Sequence, residues 1–441
     1  MKARWLVALF LVATITCILN PSSMVAVPQL DRAGTPVVKV ILAEEQTRHL
    51  DYRRTLVGPG INQPDPFPGY GGFVGWCAPV RTRTGALIVT FSAGYWHASL
   101  PTPTTEVPLS DIQTWRKIGM PEINAPTGGR ALMVRSEDSG LTWSRPQLMI
   151  DTVKDEVCPA ATLLADGTLL ASFYVQYLAD RGWKIGTIRS FDDGKTWEQT
   201  PRYVAEPFEK TYTDGPPLEM PDKSVLIVAS VGTKTEAEPR PLAIFRSPDR
   251  GANWSHVATI PAPFHQDEPS ITRLRDGNLV VISRKEGGLS WSTDNGRTWT
   301  APVVLPFKMY DPWLLTLKDD TLICVHGSYH EKKHGLRAIL SPDGGKTWMA
   351  AGPDYGFSVD PSVYGYSRGI QLPDGSVFIT YLHTGGHTTE DARAESIFGL
   401  RFRVKKGCSG IELLPAPGSP AVGGKGPQAK PREAGKPRKE I

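Results

Sequence analysis

The sequence predicts an all-β fold built from repeated four-stranded units, and three observations support this prediction. Of the 441 residues, 43 are Gly and 39 are Pro, which favours many short strands joined by turns over long helices. A motif containing Asp, Gly and Trp occurs five times. A second repeat, two apolar strands joined by a tight turn, occurs six times out of phase with the first.

The first repeat is the motif Ser-x-Asp-x-Gly-x-Thr-Trp, which follows an alternating apolar run in each copy. Its Asp can accept hydrogen bonds from backbone amides, its Gly supplies a positive φ, and its Trp can pack beneath the turn. We therefore interpret it as a structural hairpin turn. The five copies begin at Ser136, Ser190, Ser247, Ser292 and Ser341.

The second repeat sets the number of units. Its turns lie at residues 84–85, 166–167, 222–223, 276–277, 319–320 and 374–375. Six four-stranded units of about fifty residues predict a six-bladed β-propeller, because radial repetition leaves few exposed strand edges. The sixth unit lacks the Asp motif, and we expect strand 397–404 and an N-terminal strand at 37–42 to complete it and close the ring.

Composition divides the chain into three parts. Lys2 and Arg4 precede an apolar run at residues 5–19, which is the size of a signal-peptide core and short for a membrane span. A final segment rich in Pro, Gly and Lys cannot bury a core. The predicted parts are a signal peptide at 1–26, a propeller at 36–410 with an insertion near 95–128, and a disordered basic tail at 415–441. The protein is expected to be secreted or periplasmic.

Charge and cysteine content exclude further classes. The formal net charge is +4, but the tail carries +4 and the leader +2, which leaves −2 for the body. A folded domain without excess positive charge is not expected to bind nucleic acid. Four Cys follow the leader, too few for a disulfide framework in a domain of this size. The sequence leaves open whether Cys77 and Cys158, at the starts of neighbouring channel-lining strands, form one disulfide.

A candidate site follows from the first strand of each blade, which lines the central channel of a propeller. The position nine residues before the end of each second-repeat turn lies on this strand, where an apolar side chain would be expected. The six residues at this position are instead mostly polar or reactive, and a ring containing a Glu and a Tyr indicates a functional site. They are Trp76, Cys158, Asp214, Glu268, Asp311 and Tyr366.

Two arginines extend this candidate site. Arg284 lies seven residues after Gly277 and ends an apolar run, so we expect its guanidinium on the channel side of the fourth blade. Arg337 precedes the fifth Asp motif. Two converging arginines would form a carboxylate clamp, because guanidinium binds carboxylate with two hydrogen bonds. A salt bridge at a strand edge is the alternative for Arg337.

The five Asp motifs and this ring resemble the bacterial exo-α-sialidase (neuraminidase) family, whose repeats are called Asp boxes or BNR repeats, over residues 72–404. Segment 267–284 resembles the family segment that carries the catalytic Glu and one Arg of an arginine triad. Segment 365–375 resembles the segment that carries the Tyr nucleophile. Arg337, shortly before an Asp box and 29 residues before Tyr366, fits the third Arg of the triad.

The resemblance implies that Tyr366 is the nucleophile and Glu268 its base, while Arg284 and Arg337 bind the substrate carboxylate. The chemistry agrees with these residue types. A sialoside carries a carboxylate on its anomeric carbon, which would repel an anionic carboxylate nucleophile. A neutral phenol avoids that repulsion if a neighbouring Glu takes its proton.

The first blade departs from the family pattern. The family begins this blade with a triad Arg, whereas residues 75–79 contain none, and no Asp follows the next strand where the family has its acid/base. We name His97 as a candidate proton donor and substrate-binding residue, since its pKa suits that role. Arg368 or Arg130 could replace the missing cation. Asp214 and Asp311 complete the predicted substrate-binding set.

The sequence leaves three functions open. The first is an exported, retaining hydrolase of terminal sialic-acid-like glycosides, with an acidic glycan as its partner. The second is a glycosidase or lyase for another acidic sugar, such as a uronate, that uses His residues. The third is a non-catalytic propeller that binds glycans or a protein. We expect a monomer with no cofactor and no metal ion.

Overall fold

The structure, a computed structural model, describes most of the predicted propeller. The predicted signal peptide, His97 and the insertion lie outside the described residues, as does the tail after residue 417. The described ranges are 34–67, 72–94, 129–152, 155–177, 182–204, 207–232, 239–363, 365–383 and 396–417.

Strands make up nearly all regular elements of the described chain, as predicted. The first fifteen are β1 (Val37–Val40), β2 (Arg54–Val57), β3 (Phe73–Arg81), β4 (Leu87–Gly94), β5 (Arg130–Ser136), β6 (Gln147–Ile150), β7 (Asp155–Leu163), β8 (Leu169–Tyr177), β9 (Gly182–Ser190), β10 (Arg202–Val204), β11 (Lys210–Tyr212), β12 (Leu218–Glu219), β13 (Val225–Gly232), β14 (Leu242–Ser247) and β15 (Ser255–Ile260). The others are β16 (Asp267–Arg273), β17 (Leu279–Arg284), β18 (Gly288–Ser292), β19 (Val303–Val304), β20 (Met309–Thr316), β21 (Leu322–Ser328), β22 (Gly335–Ser341), β23 (Thr347–Ala350), β24 (Phe357–Asp360), β25 (Gly365–Gln371), β26 (Val377–Leu382), β27 (Ile397–Val404) and β28 (Ile411–Leu414). A short helix, α1 (His49–Tyr52), and a 3-10 turn (Lys406–Cys408) join them. No helix in the described ranges has the length and hydropathy of a membrane span.

Six antiparallel sheets form the blades, and this confirms the predicted six-bladed propeller. The first four blades are β3–β6, β7–β10, β11–β15 and β16–β19; the fifth contains β20–β24 with β1, and the sixth β25–β28 with β2. First strands contact each other in the pairs β3 with β7, β16 with β20, β20 with β25, and β25 with β3, where the ring closes. The third blade meets its neighbours through β11 with β8 and β9, and through β13 with β16. The predicted channel-lining strands therefore surround one axis.

The strand that closes the ring differs from the prediction. We expected residues 37–42 in the sixth blade, but β1 pairs in parallel with β23 at the outer edge of the fifth blade. The sixth blade instead takes β2, which pairs with β27. Burial explains this choice, because Val57 of β2 is 0% exposed whereas Val37 of β1 is 43% exposed.

The Asp motifs form the predicted turns between outer strands. In the copy between β9 and β10, Asp192 Oδ1 accepts the Thr196 amide at 2.9 Å, and Oδ2 accepts the Thr196 hydroxyl at 2.6 Å. Gly194 has φ 83° and donates its amide to Ser190 Oγ at 2.9 Å. The motif residues serve the turn, as predicted.

The core lies between blades, where the apolar faces of neighbouring sheets pack together. The second strand of the first blade, β4, is buried along its whole length. Phe91 on β4 and Phe173 at the equivalent position of β8 are both 0% exposed. Truncating a buried Phe costs about 3–5 kcal/mol, so this packing fixes the distance of each first strand from the axis.

Candidate active site

The predicted ring residues share an unusual backbone conformation. In five blades the first strand shifts register at the ring position, which is a β-bulge. The five bulged residues have φ between 42° and 57°, a region that costs a non-glycine residue about 1–3 kcal/mol. A bulge changes the direction in which a side chain points, so these bulges turn the ring side chains toward the channel. The bulged residues are Trp76, Cys158, Glu268, Asp311 and Tyr366.

In the third blade, a break in the innermost strand takes the place of the bulge. There β11 ends at Tyr212 and β12 begins at Leu218, and Asp214 lies between them. Its side chain and those of four bulged residues line one small cavity. The cavity is lined by Trp76, Cys77, Ala78, Cys158, Pro159, Asp214, Asp311, Tyr366 and Arg368.

The structure brings Tyr366, Glu268 and Arg284 together across the channel. Tyr366 Oη donates to Glu268 Oε1 at 2.9 Å, although the two residues belong to the sixth and fourth blades. Arg284 Nη1 lies 3.2 Å from Tyr366 Oη and also donates to Glu268 Oε1. A phenol, a carboxyl and a guanidinium thus share one hydrogen-bonded cluster.

Burial controls the protonation of this cluster. The Glu268 side chain is enclosed, and loss of hydration raises the pKa of its carboxyl to about 8 despite the adjacent Arg284. Its Oε2 atom accepts the backbone amide of Asp311 at 2.6 Å, which fixes the carboxyl plane. Burial and the Glu268 charge raise the pKa of Tyr366 well above its usual value. The phenol is therefore neutral unless a base removes its proton.

Asp267, the neighbour of Glu268, has the opposite character. Burial alone would raise its pKa, but hydrogen bonds from His265, Tyr212 and the Glu268 amide outweigh burial and lower it to about 2. Its Oδ1 atom accepts the Glu268 amide at 2.9 Å. Asp267 is thus a permanent anion beside a carboxyl that is easily protonated.

Arg368 and Asp311 form the deepest ion pair of the site. Arg368 Nη1 and Nη2 donate to the two Asp311 carboxylate oxygens at 2.5 and 2.7 Å, and Nε donates to the Asp214 carbonyl at 2.8 Å. The ion pair is almost fully buried. Asp311 therefore already neutralises the Arg368 guanidinium, and the role of Arg368 as the replacement cation stays a prediction.

Arg337 does not join the cluster, and the expected two-arginine clamp is corrected accordingly. No hydrogen bond or ion pair within the described residues links it to Tyr366, Glu268 or Arg284. Its Nη1 lies 3.0 Å from Glu45 Oε1, and its Nη2 donates to the His334 carbonyl at 3.0 Å. It lies on β22, the third strand of its blade, which β21 separates from the channel-lining strand β20. The Glu45 carboxylate of the N-terminal segment pairs with it there.

The structure also describes Arg130, the two cysteines of the possible bridge and the potential metal ligands. Arg130 forms an ion pair with Asp151 at 3.0 Å. Cys77 and Cys158 are both free thiols, so the structure contains no bridge between them. No group of three potential metal ligands occurs among the residues that the structure describes.

Sequence reasoning missed two tyrosines that complete the cluster. Tyr329 Oη accepts a hydrogen bond from Arg284 Nη2, and Tyr212 Oη donates one to Asp267 Oδ1. Tyr212 lies two residues before a ring position, which is a signal that was available. Tyr329 follows the end of β21 and carries no comparable spacing, because a loop brings it to Arg284.

Comparison with known proteins places the chain in a family. The BNR repeat-like domain family matches residues 128–379, more than half of the chain. The chain belongs to the BNR repeat-like family. A comparison with curated protein sequences found no match.

Solved structures share the propeller of this BNR repeat protein. A Dyadobacter fermentans protein of unknown function aligns with TM-score 0.60 and 18% identity over 82% of this chain and 99% of its own. The Hadza microbial sialidase Hz136 aligns with TM-score 0.53 and 19% identity over 74% and 65%. The intramolecular trans-sialidase of Ruminococcus gnavus aligns with TM-score 0.51 and 12% identity over 77% and 97%. The predicted resemblance is confirmed at the level of fold.

Proposed function

We propose that this BNR repeat protein is a retaining glycoside hydrolase that cleaves terminal sialic-acid-like residues from glycans. The hydrogen bond of 2.9 Å between Tyr366 Oη and Glu268 Oε1 carries the proposal. A buried phenol is a poor nucleophile by itself, and a base in direct contact makes it a competent one. Sialidases are the glycosidases known to use a tyrosine in this way.

Each member of the cluster has a role in this proposal. Tyr366 attacks the anomeric carbon, and the ionised form of Glu268 accepts the phenolic proton. Arg284, whose side chain is 26% exposed, binds the substrate carboxylate. Its guanidinium reaches solvent, whereas that of Arg368 is covered and already paired.

The substrate class follows from the position of Arg284 beside the nucleophile. A guanidinium next to the attacking oxygen favours a sugar with a carboxylate on or near its anomeric carbon. Sialosides satisfy this condition, and uronic-acid glycosides, with the carboxylate on another ring carbon, satisfy it less closely. The sialoside is therefore the proposed substrate.

The test is hydrolysis of methylumbelliferyl sialoside by purified protein, with the variants Tyr366→Phe and Glu268→Gln. We expect each variant to lose at least about 100-fold in kcat, because each removes a group from the attack step. Tyr203→Phe on the outer strand β10 is the matched control and should keep wild-type activity. Full activity in both site variants, or no turnover of any sialoside by the wild-type protein, contradicts the proposal.

We further propose that residues 1–26 direct export and that the basic segment predicted to begin at 415 lies outside the catalytic domain. This domain extends past the predicted bound of 410, because β28 (Ile411–Leu414) belongs to the sixth blade. The support is the charged and apolar leader and the Pro, Gly and Lys content of the tail. N-terminal sequencing of protein recovered from the periplasm or medium tests the first part. A mature chain that still begins at Met1 contradicts it.

A further inference from the structure

Asp214 is a buried carboxyl group with an oxygen that no neighbour uses. The residue is 9% exposed and lines the same cavity as Tyr366. Its Oδ2 atom is buried and has no hydrogen-bond partner within the described residues. The Cys158 thiol hydrogen-bonds to the same carboxyl group. An unpartnered buried carboxyl oxygen is costly, and such a group is retained where a ligand or a proton uses it.

The proposed reaction needs one group that the cluster of Tyr366, Glu268 and Arg284 does not provide. A retaining glycosidase requires an acid that protonates the departing oxygen and later deprotonates water. Residues 72–94, the described inner part of the first blade, contain neither Asp nor Glu. Within the described part of the chain, a candidate acid therefore lies on another element of the channel.

The other carboxyl groups of the candidate site already have hydrogen-bond partners. Asp311 binds Arg368 with both oxygens, Glu268 binds Tyr366 and the Asp311 amide, and Asp267 accepts at least three hydrogen bonds. Asp214 differs because one oxygen has no partner in the described chain. It lies on the third blade, opposite Tyr366 of the sixth blade, so a sugar between them would have the acid and the nucleophile on opposite sides.

We propose that Asp214 is the general acid and base of this site, an inference that rests on the proposed function. In the first step the bond between the anomeric carbon and the glycosidic oxygen breaks while a bond to Tyr366 Oη forms. The Tyr366 proton passes to Glu268, and the Asp214 proton passes to the departing oxygen. In the second step water gives a proton to Asp214 and its hydroxyl to the anomeric carbon. Tyr366 Oη then leaves and regains its proton from Glu268.

The electrostatic surroundings suit this role. Burial, followed by the charge of Asp311, raises the pKa of Asp214 to about 7, while Arg368 and the Cys158 thiol lower it. A general acid works best when its pKa lies near the working pH. The titratable and charged groups that act on Asp214 or respond to it are Cys158, Tyr174, Tyr212, Asp267, Glu268, Asp311 and Arg368.

The leaving group provides the decisive test. Asp214→Asn keeps the shape of the side chain but cannot deliver a proton. We expect kcat/KM for sialyllactose, whose leaving group needs a proton, to fall about 100-fold to 10,000-fold. We expect kcat/KM for methylumbelliferyl sialoside, whose leaving group departs unprotonated, to fall less than about 10-fold. Equal loss on both substrates, or no loss on either, overturns the assignment.

Two further variants separate an acid from a structural carboxyl. Asp214→Ala with added sodium azide should regain turnover of the aryl sialoside and form a glycosyl azide of retained configuration, because azide needs no base. Cys158→Ala keeps the acid but removes a hydrogen bond that lowers its pKa, so the alkaline limb of the pH profile should move up by a few tenths of a pH unit. Absence of azide rescue in a folded Asp214→Ala protein contradicts the acid role.

The outcomes distinguish the two proposals. If the wild-type protein cleaves sialosides and loses activity in Tyr366→Phe but not in Asp214→Asn, the acid assignment fails and the proposed function stands. If the wild-type protein cleaves no sialoside, both fail together. Thermal unfolding of each variant shows whether lost activity reflects lost folding.

Discussion

Asp267 and Glu268 are adjacent in the chain, but their carboxyl groups favour opposite protonation states. Three hydrogen-bond donors hold the Asp267 pKa near 2, whereas burial outweighs Arg284 and raises the Glu268 pKa to about 8. Two titratable groups with diverging pKa values indicate divided roles, one permanently ionised and one that exchanges protons. Glu268 is the one in contact with the phenol, which is why the proposed mechanism gives it the base role.

These pKa values predict the pH dependence of sialyllactose hydrolysis, in which the leaving group needs a proton. Glu268 must be ionised to accept a proton, so kcat/KM falls as the pH drops below about 8. Asp214 must be protonated to act as an acid, so kcat/KM falls as the pH rises above about 7. The expected profile is a bell with its maximum between pH 7 and 8, and its apparent pKa values belong to the coupled set.

Kinetics from pH 5 to 10 check this profile in the wild-type protein and in Asp214→Asn. The variant should lose the alkaline limb and keep the acidic one. The surface variant Glu137→Gln should reproduce the wild-type bell. A wild-type maximum near pH 5 is incompatible with a buried, protonated Glu268.

At the scale of single elements, the Asp motifs and the β-bulges do different work. The motifs close turns between outer strands and satisfy their own hydrogen bonds locally. The bulges lie on inner strands and hold non-glycine residues at positive φ, which neighbouring blades must stabilise. The motif turns therefore stabilise the fold, whereas the bulges position the side chains of the candidate site.

One motif variant tests the structural role of the turns. Asp192→Ala removes the acceptor for the Thr196 amide and hydroxyl and for the Ser190 hydroxyl. Loss of this local acceptor should lower the free energy of unfolding by about 1–2 kcal/mol, as loss of a helix cap does. Denaturant unfolding at neutral pH measures it, with the exposed neighbour Lys195→Ala as control. Unchanged stability together with lost sialidase activity would show that the motif serves the site.

At the scale of the whole molecule, the N-terminal segment joins two blades. β1 extends the fifth blade, α1 follows, and β2 completes the sixth blade beside β27. Arg53 between them forms an ion pair with Asp360 of the fifth blade at 2.9 Å. A strand from one end of the chain therefore closes a ring whose other strands follow in order.

Closure by β2 predicts unequal effects of a buried charge. Val57→Asp places a carboxyl at a 0% exposed position of β2 and should lower the free energy of unfolding by at least about 3 kcal/mol. Val37→Asp on β1, where the native side chain is 43% exposed, should cost less than about 1 kcal/mol. Denaturant unfolding compares the two. Equal destabilisation would mean that β1 contributes as much to closure as β2.

The blade count, the turns and the ring positions could be predicted from the sequence, because these depend on short-range patterns. Alternating apolar residues, Asp side chains that bond to nearby amides and a fixed spacing of nine residues are all local. The pairing of Tyr366 with Glu268 was implied by the resemblance to the sialidase family and not by these patterns.

Only the tertiary structure decided the partners of charged groups and the strand that closes the ring. Arg337 pairs with Glu45, and Arg368 pairs with Asp311, through contacts between segments far apart in sequence. The choice of β2 over β1 depends on which segment buries more apolar surface against β27. The divergent pKa values of Asp267 and Glu268 depend on burial and donors from other blades. Long-range burial and electrostatics have no signature in local sequence patterns, and for this reason they appeared only in the folded molecule.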